Sequence, residues 1–216
     1  MDGTIIHNQL DAFVWNGTSD VDSPGGVGSW QRNAAWAEGP TFDPNGAHQP
    51  FTGEHHHHLS PRGLRHLLGD HVDYTPATHT YTESTAPQQH SPILGWAFDG
   101  YPIYGPYGFS DPNNTNSAVR RMTSGYVYRD GGSGTTDLRV TGRTSIPAWA
   151  LATGQATTPN GPPVSVEYPL GRYIQDWDTS PTAASHRAFT STSTATTDAS
   201  AARRGFPTSS GASITA

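Results

Sequence analysis

The sequence predicts a mixed, β-rich α+β fold, a single loop-rich domain of short strands with a few short helices. Three observations support this prediction. The 216 residues include 24 glycines and 18 prolines, only 33% of them are hydrophobic, and 22 are aromatic (6 Trp, 9 Tyr and 7 Phe). Pro removes a backbone hydrogen-bond donor and Gly disfavours helices through its conformational freedom, so long helices are excluded. Short segments must therefore build the core from aromatic side chains.

The first fifty residues predict short strands joined by turns. Aromatic-bearing segments such as Phe13-Val14-Trp15 are broken there by Gly and Pro. Such short runs between turn residues are typical of strands. Residues 90–109 read HSPILGWAFDGYPIYGPYGF and have no helical period, so we expect extended segments and tight turns there as well.

Residues 60–69 predict the clearest helix. Ser60 is a candidate N-cap, Pro61 suits the first helical position, and the leucines that follow share one face. Gly69 suits the left-handed position after the last turn. Two shorter helices are predicted at residues 118–122 and 147–152, each followed by a glycine within a few positions.

The composition restricts metal chemistry to imidazole and carboxylate ligands. The chain contains no Cys, all twelve of its basic residues are Arg, and it has eleven His. Thiolate metal sites, disulfides, Schiff-base lysines and P-loop lysines are therefore excluded. Histidine is the remaining soft nitrogen ligand, and Asp and Glu supply oxygen.

Charge and hydropathy restrict the class of partner. The net charge is −6 and no long basic run occurs, which argues against nucleic-acid binding. No window reaches about eighteen apolar residues, so no membrane span is expected. The N-terminal residues also lack the basic start and apolar stretch of a signal peptide. The sequence does not specify the oligomeric state or the substrate, whether small molecule or polymer.

Four consecutive histidines, residues 55–58, form the segment with the highest density of potential metal ligands. Side chains alternate between the two faces of a strand, so His56 and His58 are expected to project together. A His-x-His pair on one face can share a metal ion. An unpartnered surface run and a tag-like artefact are the alternatives, although a tag normally lies at a terminus.

Further ligands are needed to complete such a site. His48 and His90 are the nearest candidates, and Asp99 is a further oxygen ligand or an acceptor that orients one imidazole. The remaining histidines, including His7, carry no pattern that links them to this group.

Two segments resemble the YHYH-domain proteins. The first is residues 55–58 followed by LSPRGLRHLLGDHVDY, and the second is HSPILGWAFDGYPIYGPYG at residues 90–108. That family is named for a Tyr-His-Tyr-His motif, with Gly-x-His upstream and a His-Ser-Pro…Asp-Gly-x-Pro-x-Tyr-Gly-Pro-x-Gly block downstream. The resemblance covers about residues 30–178 and implies an exported protein, extracellular or periplasmic.

The resemblance assigns the same histidines as the strand pattern. His56 and His58 match the two motif histidines, His48 matches the upstream one, and His90 matches the one that opens the second block. Both motif tyrosines are replaced here by histidines. Any role of the phenols in hydrogen bonding or radical chemistry is therefore in doubt for this chain.

The resemblance divides the chain into a YHYH-like domain, residues 1–178, and a tail, residues 179–216. In the tail, 26 of 38 residues are Ser, Thr or Ala. Such a composition is typical of a disordered terminus. A frameshift is the more specific hypothesis. For one choice of codons encoding the tail, translation in a neighbouring reading frame gives an ending like that of the family. In that case the chain is truncated relative to its family, and the nucleotide sequence decides the question.

Two functions remain open. The first is a metal-binding protein, a hydrolase or oxidoreductase if an open coordination position remains, with His48, His56, His58 and His90 as ligands. The donor set fits Cu, Zn, Ni or Fe as divalent ions, with copper or zinc favoured as the cofactor. The second is a non-catalytic extracellular binding or structural module, in which the same histidines form a closed site.

In the catalytic alternative, three tyrosines and two carboxylates complete the site. Tyr101, Tyr104 and Tyr107 are expected to line a pocket beside the metal, although core packing is an equally good interpretation. Glu54 or Asp99 is the candidate general base.

Overall fold

The computed structural model describes residues 3–23, 27–49, 53–84, 89–151 and 160–179. This part of the chain is rich in short strands, arranged in small sheets with a few short helices, which confirms the predicted fold class. None of its helices is long and apolar enough to cross a membrane. Apart from Thr179, the predicted tail lies outside the described residues.

The described residues contain fourteen strands and four α-helices, all of them short. The strands are β1 (Ile5–Ile6), β2 (Leu10–Trp15), β3 (Asp20–Asp22), β4 (Gln31–Asn33), β5 (Ala47–His48), β6 (His56–His57), β7 (Val72–Thr75), β8 (Thr80–Glu83), β9 (Ile93–Trp96), β10 (Pro102–Tyr104), β11 (Tyr107–Phe109), β12 (Val119–Arg121), β13 (Tyr126–Tyr128) and β14 (Trp177–Thr179). The α-helices are α1 (Ala34–Ala37), α2 (Arg62–Leu67), α3 (Leu138–Thr141) and α4 (Ala148–Leu151). Single 3-10 turns lie at Gly39–Thr41, Gly132–Gly134 and Ile174–Asp176.

Two three-stranded sheets bring distant parts of the chain together. In the first, β6 pairs in parallel with β1 and antiparallel with β5. In the second, β2 lies between β3 and β4 and is antiparallel to both. The remaining strands pair antiparallel as β7–β8, β9–β10, β11–β12 and β13–β14. The first sheet is the one that positions the histidine run.

The predicted helices agree with the structure at two of three places. The helix predicted at residues 60–69 is α2, with Pro61 rather than Ser60 at the N-cap position and Gly69 at a positive φ of 73°. The helix predicted at residues 147–152 is α4, and its last predicted residue lies outside the described part. The helix predicted at residues 118–122 is wrong, because this segment forms β12 and pairs with β11.

The core combines aromatic packing with a buried ion pair. Trp30 and Tyr173 are fully buried and their rings meet edge to face, with centroids 6.2 Å apart. Arg143 and Asp176 lie in the same core, both with side chains 0% exposed, and Arg143 Nε donates to Asp176 Oδ1 over 2.6 Å. The core therefore combines buried aromatic and aliphatic side chains with a buried ion pair.

Candidate metal centre

The first sheet brings three histidines together on one face. His48, the last residue of β5, lies directly opposite His56 on β6. His58 follows two residues later, and the alternation of side chains places it on the same face as His56. The ligand atoms of His48, His56 and His58 all lie within 4.8 Å of one another.

The three rings converge through their Nε2 atoms. His56 Nε2 lies 3.1 Å from His48 Nε2 and 2.9 Å from His58 Nε2. His56 and His58 are buried, and the His48 side chain is 9% exposed. The ring of Phe42 stacks on His58 and meets His48 edge to face, which helps to shield the group from water.

Backbone carbonyl groups fix the tautomers of two of these histidines. His56 Nδ1 lies 3.1 Å from the carbonyl oxygen of Glu54, and His58 Nδ1 lies 2.6 Å from that of Asn8. A carbonyl oxygen only accepts hydrogen bonds, so Nδ1 must carry the proton in both rings. When these rings are neutral, both Nε2 atoms present lone pairs.

A hydroxyl group fixes the third tautomer. Thr41 Oγ1 donates its single hydrogen to the carbonyl oxygen of Glu38 over 2.7 Å, and it lies 2.9 Å from His48 Nδ1. Its oxygen must therefore accept a hydrogen bond from His48 Nδ1–H. Three Nε2 lone pairs consequently point toward one another, and this arrangement is unfavourable unless a cation lies between them.

A proton is a poor candidate for that cation at neutral pH. The pKa of His58 is lowered to about 4, mainly by burial and also by the neighbouring histidines, against the opposing effect of the Asn8 carbonyl. Burial also lowers the pKa of His48, again reinforced by the other histidines. The arrangement is therefore suited to a metal ion, because neutral imidazoles with oriented lone pairs are metal ligands.

Sequence reasoning missed Glu38, which faces the same centre. Its Oε2 atom lies 3.2 Å from His58 Nε2 and 3.6 Å from His48 Nε2. That atom is buried and has no hydrogen-bond partner among the described residues. Burial, with a smaller contribution from the charge of Asp11, raises the pKa of Glu38 to about 7. Glu38 caps the C-terminus of α1, and no motif in the sequence links that position to the histidine run.

His7 also lies closer to this group than the sequence indicates. It follows β1 directly, and its backbone N–H donates to the carbonyl oxygen of His57 over 2.8 Å. The His7 ring is exposed, and its centroid lies 4.3 Å from the ring centroid of His56 and 5.8 Å from the ring centroid of His58. The parallel pairing of β1 with β6 brings it there, and no local pattern predicts that pairing.

The structure does not bring His90 into the group. The chain reversal of β9 and β10 instead places its ring between Tyr104 and Phe109, each with its centroid 5.1 Å away. Its Nδ1 donates to the carbonyl oxygen of Ser91 over 2.7 Å. Of the four predicted histidines, the structure therefore brings three together, and His90 packs between Tyr104 of β10 and Phe109 of β11.

Among the predicted pocket tyrosines, Tyr107 belongs to another polar network. It is buried, and its hydroxyl donates to Glu83 Oε2 over 2.9 Å. Tyr104 packs on His90, and Tyr101 is exposed. For Tyr107 the structure favours the core-packing alternative that the sequence left open.

The predicted general bases are both exposed side chains. Asp99 lies in the turn between β9 and β10, where its Oδ1 accepts from the backbone N–H of Tyr101 over 3.4 Å. Glu54 contributes to the site through its backbone carbonyl group, which holds His56. Glu38 is the carboxylate whose oxygen the structure places against the histidine nitrogens.

Comparisons with known proteins address the family. The YHYH protein family matches residues 1–198, which is most of the chain. No curated protein and no solved structure matches it. The matched range ends inside the predicted tail, and the frameshift hypothesis stays a prediction. The match confirms the resemblance drawn from the motifs, and the chain belongs to the YHYH protein family.

Proposed function

We propose that the protein binds one divalent transition-metal ion through the Nε2 atoms of His48, His56 and His58. The observation that carries this proposal is the convergence of three Nε2 atoms whose Nδ1 partners are all oxygen acceptors. Metal-binding histidines characteristically donate their other ring N–H to a carbonyl group or another oxygen, which fixes the tautomer. All three rings here follow that pattern.

The spacing of the nitrogens supports the proposal. Ligand atoms about 2.0–2.1 Å from a tetrahedral ion lie about 3.3 Å from one another. The Nε2 atom of His56 lies 3.1 Å and 2.9 Å from those of His48 and His58. An ion could therefore be accommodated by small ring movements.

The donor set restricts the metal. Imidazole suits zinc, copper, nickel and iron, and the absence of cysteine removes the softest ligand. Copper binds nitrogen and oxygen sites more tightly than the other first-row divalent ions, and zinc is commonly held by imidazoles in a tetrahedral site. These two ions are therefore favoured.

Two roles for such a site are compatible with the geometry. An open coordination position would support hydrolysis or oxidation, as in a metal-dependent enzyme. A closed site would serve a non-catalytic binding or structural module. Exposed Trp96, Phe98 and Tyr101 at the β9–β10 hairpin favour this second candidate, since exposed aromatic side chains mark contact surfaces. An extracellular or periplasmic location belongs to the proposal and rests on the family resemblance.

The test uses untagged full-length protein stripped of metal and titrated with zinc or copper in a calorimeter. We expect one equivalent to bind to the wild type and binding to be lost in His58→Gln. His55→Gln is the matched control, because His55 belongs to the same run and is exposed on its other face. Absence of binding with both metals, or an equal loss in His55→Gln, would refute the proposal.

A further inference from the structure

We propose that Glu38 is a fourth protein ligand, which binds the ion through Oε2 and makes the donor set three nitrogens and one oxygen. This inference rests on the proposed function and extends it. Glu38 follows α1 and precedes the 3-10 turn at Gly39–Thr41. Its backbone N–H donates to the carbonyl oxygen of Ala34, and its own carbonyl accepts from Thr41, so the backbone is fixed on both sides.

The distances around Oε2 are those of neighbouring ligand atoms. Oε2 lies 3.2 Å from His58 Nε2 and 3.6 Å from His48 Nε2. Two ligand atoms of a tetrahedral ion are about 3.3 Å apart, a value that lies between these distances. Glu38, His48 and His58 lie on three different segments of the chain, so tertiary folding brings these atoms together.

A hydrogen bond from a neutral histidine to the Glu38 carboxylate does not account for this contact. With Nδ1 protonated, the Nε2 atoms of His48 and His58 have no hydrogen to give to the carboxylate. Oε2 is itself buried without a hydrogen-bond partner among the described residues. A buried acceptor that faces other acceptors is costly, and a cation removes that cost for all of them at once.

A carboxylate ligand would determine how the metal can be used. Zinc bound by all four side chains would have a filled tetrahedral shell, and the site would then be structural. A metal that takes five or six ligands would keep positions for water or a substrate. The identity of the metal would therefore separate the structural role from the catalytic one.

The competing role for Glu38 is a general base beside a metal-bound water. In that case three histidines alone hold the ion, and removal of the carboxylate leaves the metal affinity near that of the wild type. A ligand instead makes a direct bond to the ion. Its loss should weaken binding by more than the roughly 10- to 100-fold that loss of an outer-shell partner costs.

The experiment compares wild type, Glu38→Gln and Glu38→Ala as cobalt(II) and zinc(II) complexes. Zinc affinity is measured by chelator competition, and the visible absorption of cobalt(II) reports the coordination geometry. We expect Glu38→Ala to lose more than 100-fold in affinity and its cobalt(II) complex to change from a tetrahedral spectrum to a weaker, higher-coordinate one as water enters. Glu38→Gln should lie between wild type and Glu38→Ala. Glu167→Gln, at an exposed carboxylate, is the control.

The outcomes separate the two proposals. If the wild type binds cobalt and zinc but Glu38→Ala keeps both the affinity and the spectrum, Glu38 is not a ligand and the three-histidine site stands. If the wild type binds neither cobalt nor zinc, and copper does not bind in the calorimetric titration either, the proposed function itself fails. Thermal unfolding of the metal-free proteins checks the fold, and Glu38→Ala should be no less stable than wild type because it removes a buried unpartnered acceptor.

Discussion

The Arg143–Asp176 pair and the histidine group are both buried polar sites, but they differ in their balance of donors and acceptors. At the first, all five N–H groups of Arg143 donate. Asp176 receives two of these bonds, and the other acceptors are the carbonyl oxygens of Pro162, Tyr168 and Pro169. Asp176 also accepts from the backbone N–H groups of Gly171 and Tyr173. Every donor has an acceptor, so the pair needs nothing from outside the chain.

The histidine group consists of acceptors facing acceptors. Three Nε2 lone pairs and Glu38 Oε2 point into one space, while each Nδ1 is used elsewhere. The comparison separates a polar site whose hydrogen bonds are complete from the site that we propose binds a metal ion. A balanced site stabilises the fold as it stands, whereas an unbalanced one requires a cation to complete it.

The largest effect is expected at the balanced site. Arg143→Met leaves Asp176 buried without its partner, and breaking a buried pair in this way costs about 3–5 kcal/mol. Urea denaturation monitored by tryptophan fluorescence measures the loss. A free energy of unfolding within about 1 kcal/mol of wild type would show that the pair is not structural. The folded fraction should bind metal with unchanged affinity.

Metal should stabilise the protein only through the unbalanced site. With free zinc about 100-fold above its dissociation constant, the free energy of unfolding should rise by about 2.7 kcal/mol through mass action. Thermal unfolding of wild type with zinc, and again after a chelator is added, measures this rise. His58→Gln should show no rise and His55→Gln a full one. Equal stabilisation of both variants would place the bound metal elsewhere.

The hydroxyl group of Thr41 should tune the affinity without affecting the fold. Thr41→Val removes the acceptor of His48 Nδ1 and releases that ring to the other tautomer. Loss of such an outer-shell partner should weaken zinc binding roughly 10- to 100-fold, measured by chelator competition. Thr41→Ser keeps the hydroxyl and should restore most of the affinity. Equal weakening in both variants would indicate a packing effect instead.

The smallest expected effect is the pH dependence of folding stability that comes from Glu83, which is paired with Arg65. Burial alone would raise the pKa of Glu83, but hydrogen bonds and charge from Arg65 outweigh it and hold the pKa below its usual value. Because the folded-state pKa is the lower one, the pair stabilises the fold above the unfolded-state pKa. This contribution is lost as the pH falls through the folded-state value.

The Glu83 side chain is 39% exposed, so the contribution should stay within about 1 kcal/mol. Urea denaturation of wild type and Glu83→Gln should show a difference in stability at about pH 6 that shrinks toward about pH 3. High salt should reduce it further. A difference that grows on acidification has the wrong sign for this account.

The sequence predicts those parts of the site that depend on local periodicity. Alternation along a strand is enough to place His56 and His58 on one face, and nearness in sequence together with the family motif adds His48. Glu38 and His7 reach the same point through tertiary pairing, in which α1 and β1 are brought to β6. No spacing rule encodes that pairing. The same limitation explains His90, whose neighbours are determined by the β9–β10 reversal.

In the fold, too, the sequence predicts the elements that local signals define and misses those that tertiary pairing defines. Turn residues and the Pro61 to Gly69 boundaries predict short strands and α2 correctly, since these signals are local. The local pattern predicts a helix at residues 118–122, yet pairing with β11 makes residues 119–121 a strand. Tertiary pairing overrides weak local preference in such short segments.

A crystal structure of the zinc-loaded wild type, with the ion located by anomalous scattering, tests the central claim most directly. We predict one ion about 2.0–2.1 Å from the Nε2 atoms of His48, His56 and His58 and within bonding distance of Glu38 Oε2. An ion bound to the opposite face of the histidine run, or no ion at the three converging nitrogens, would contradict the account.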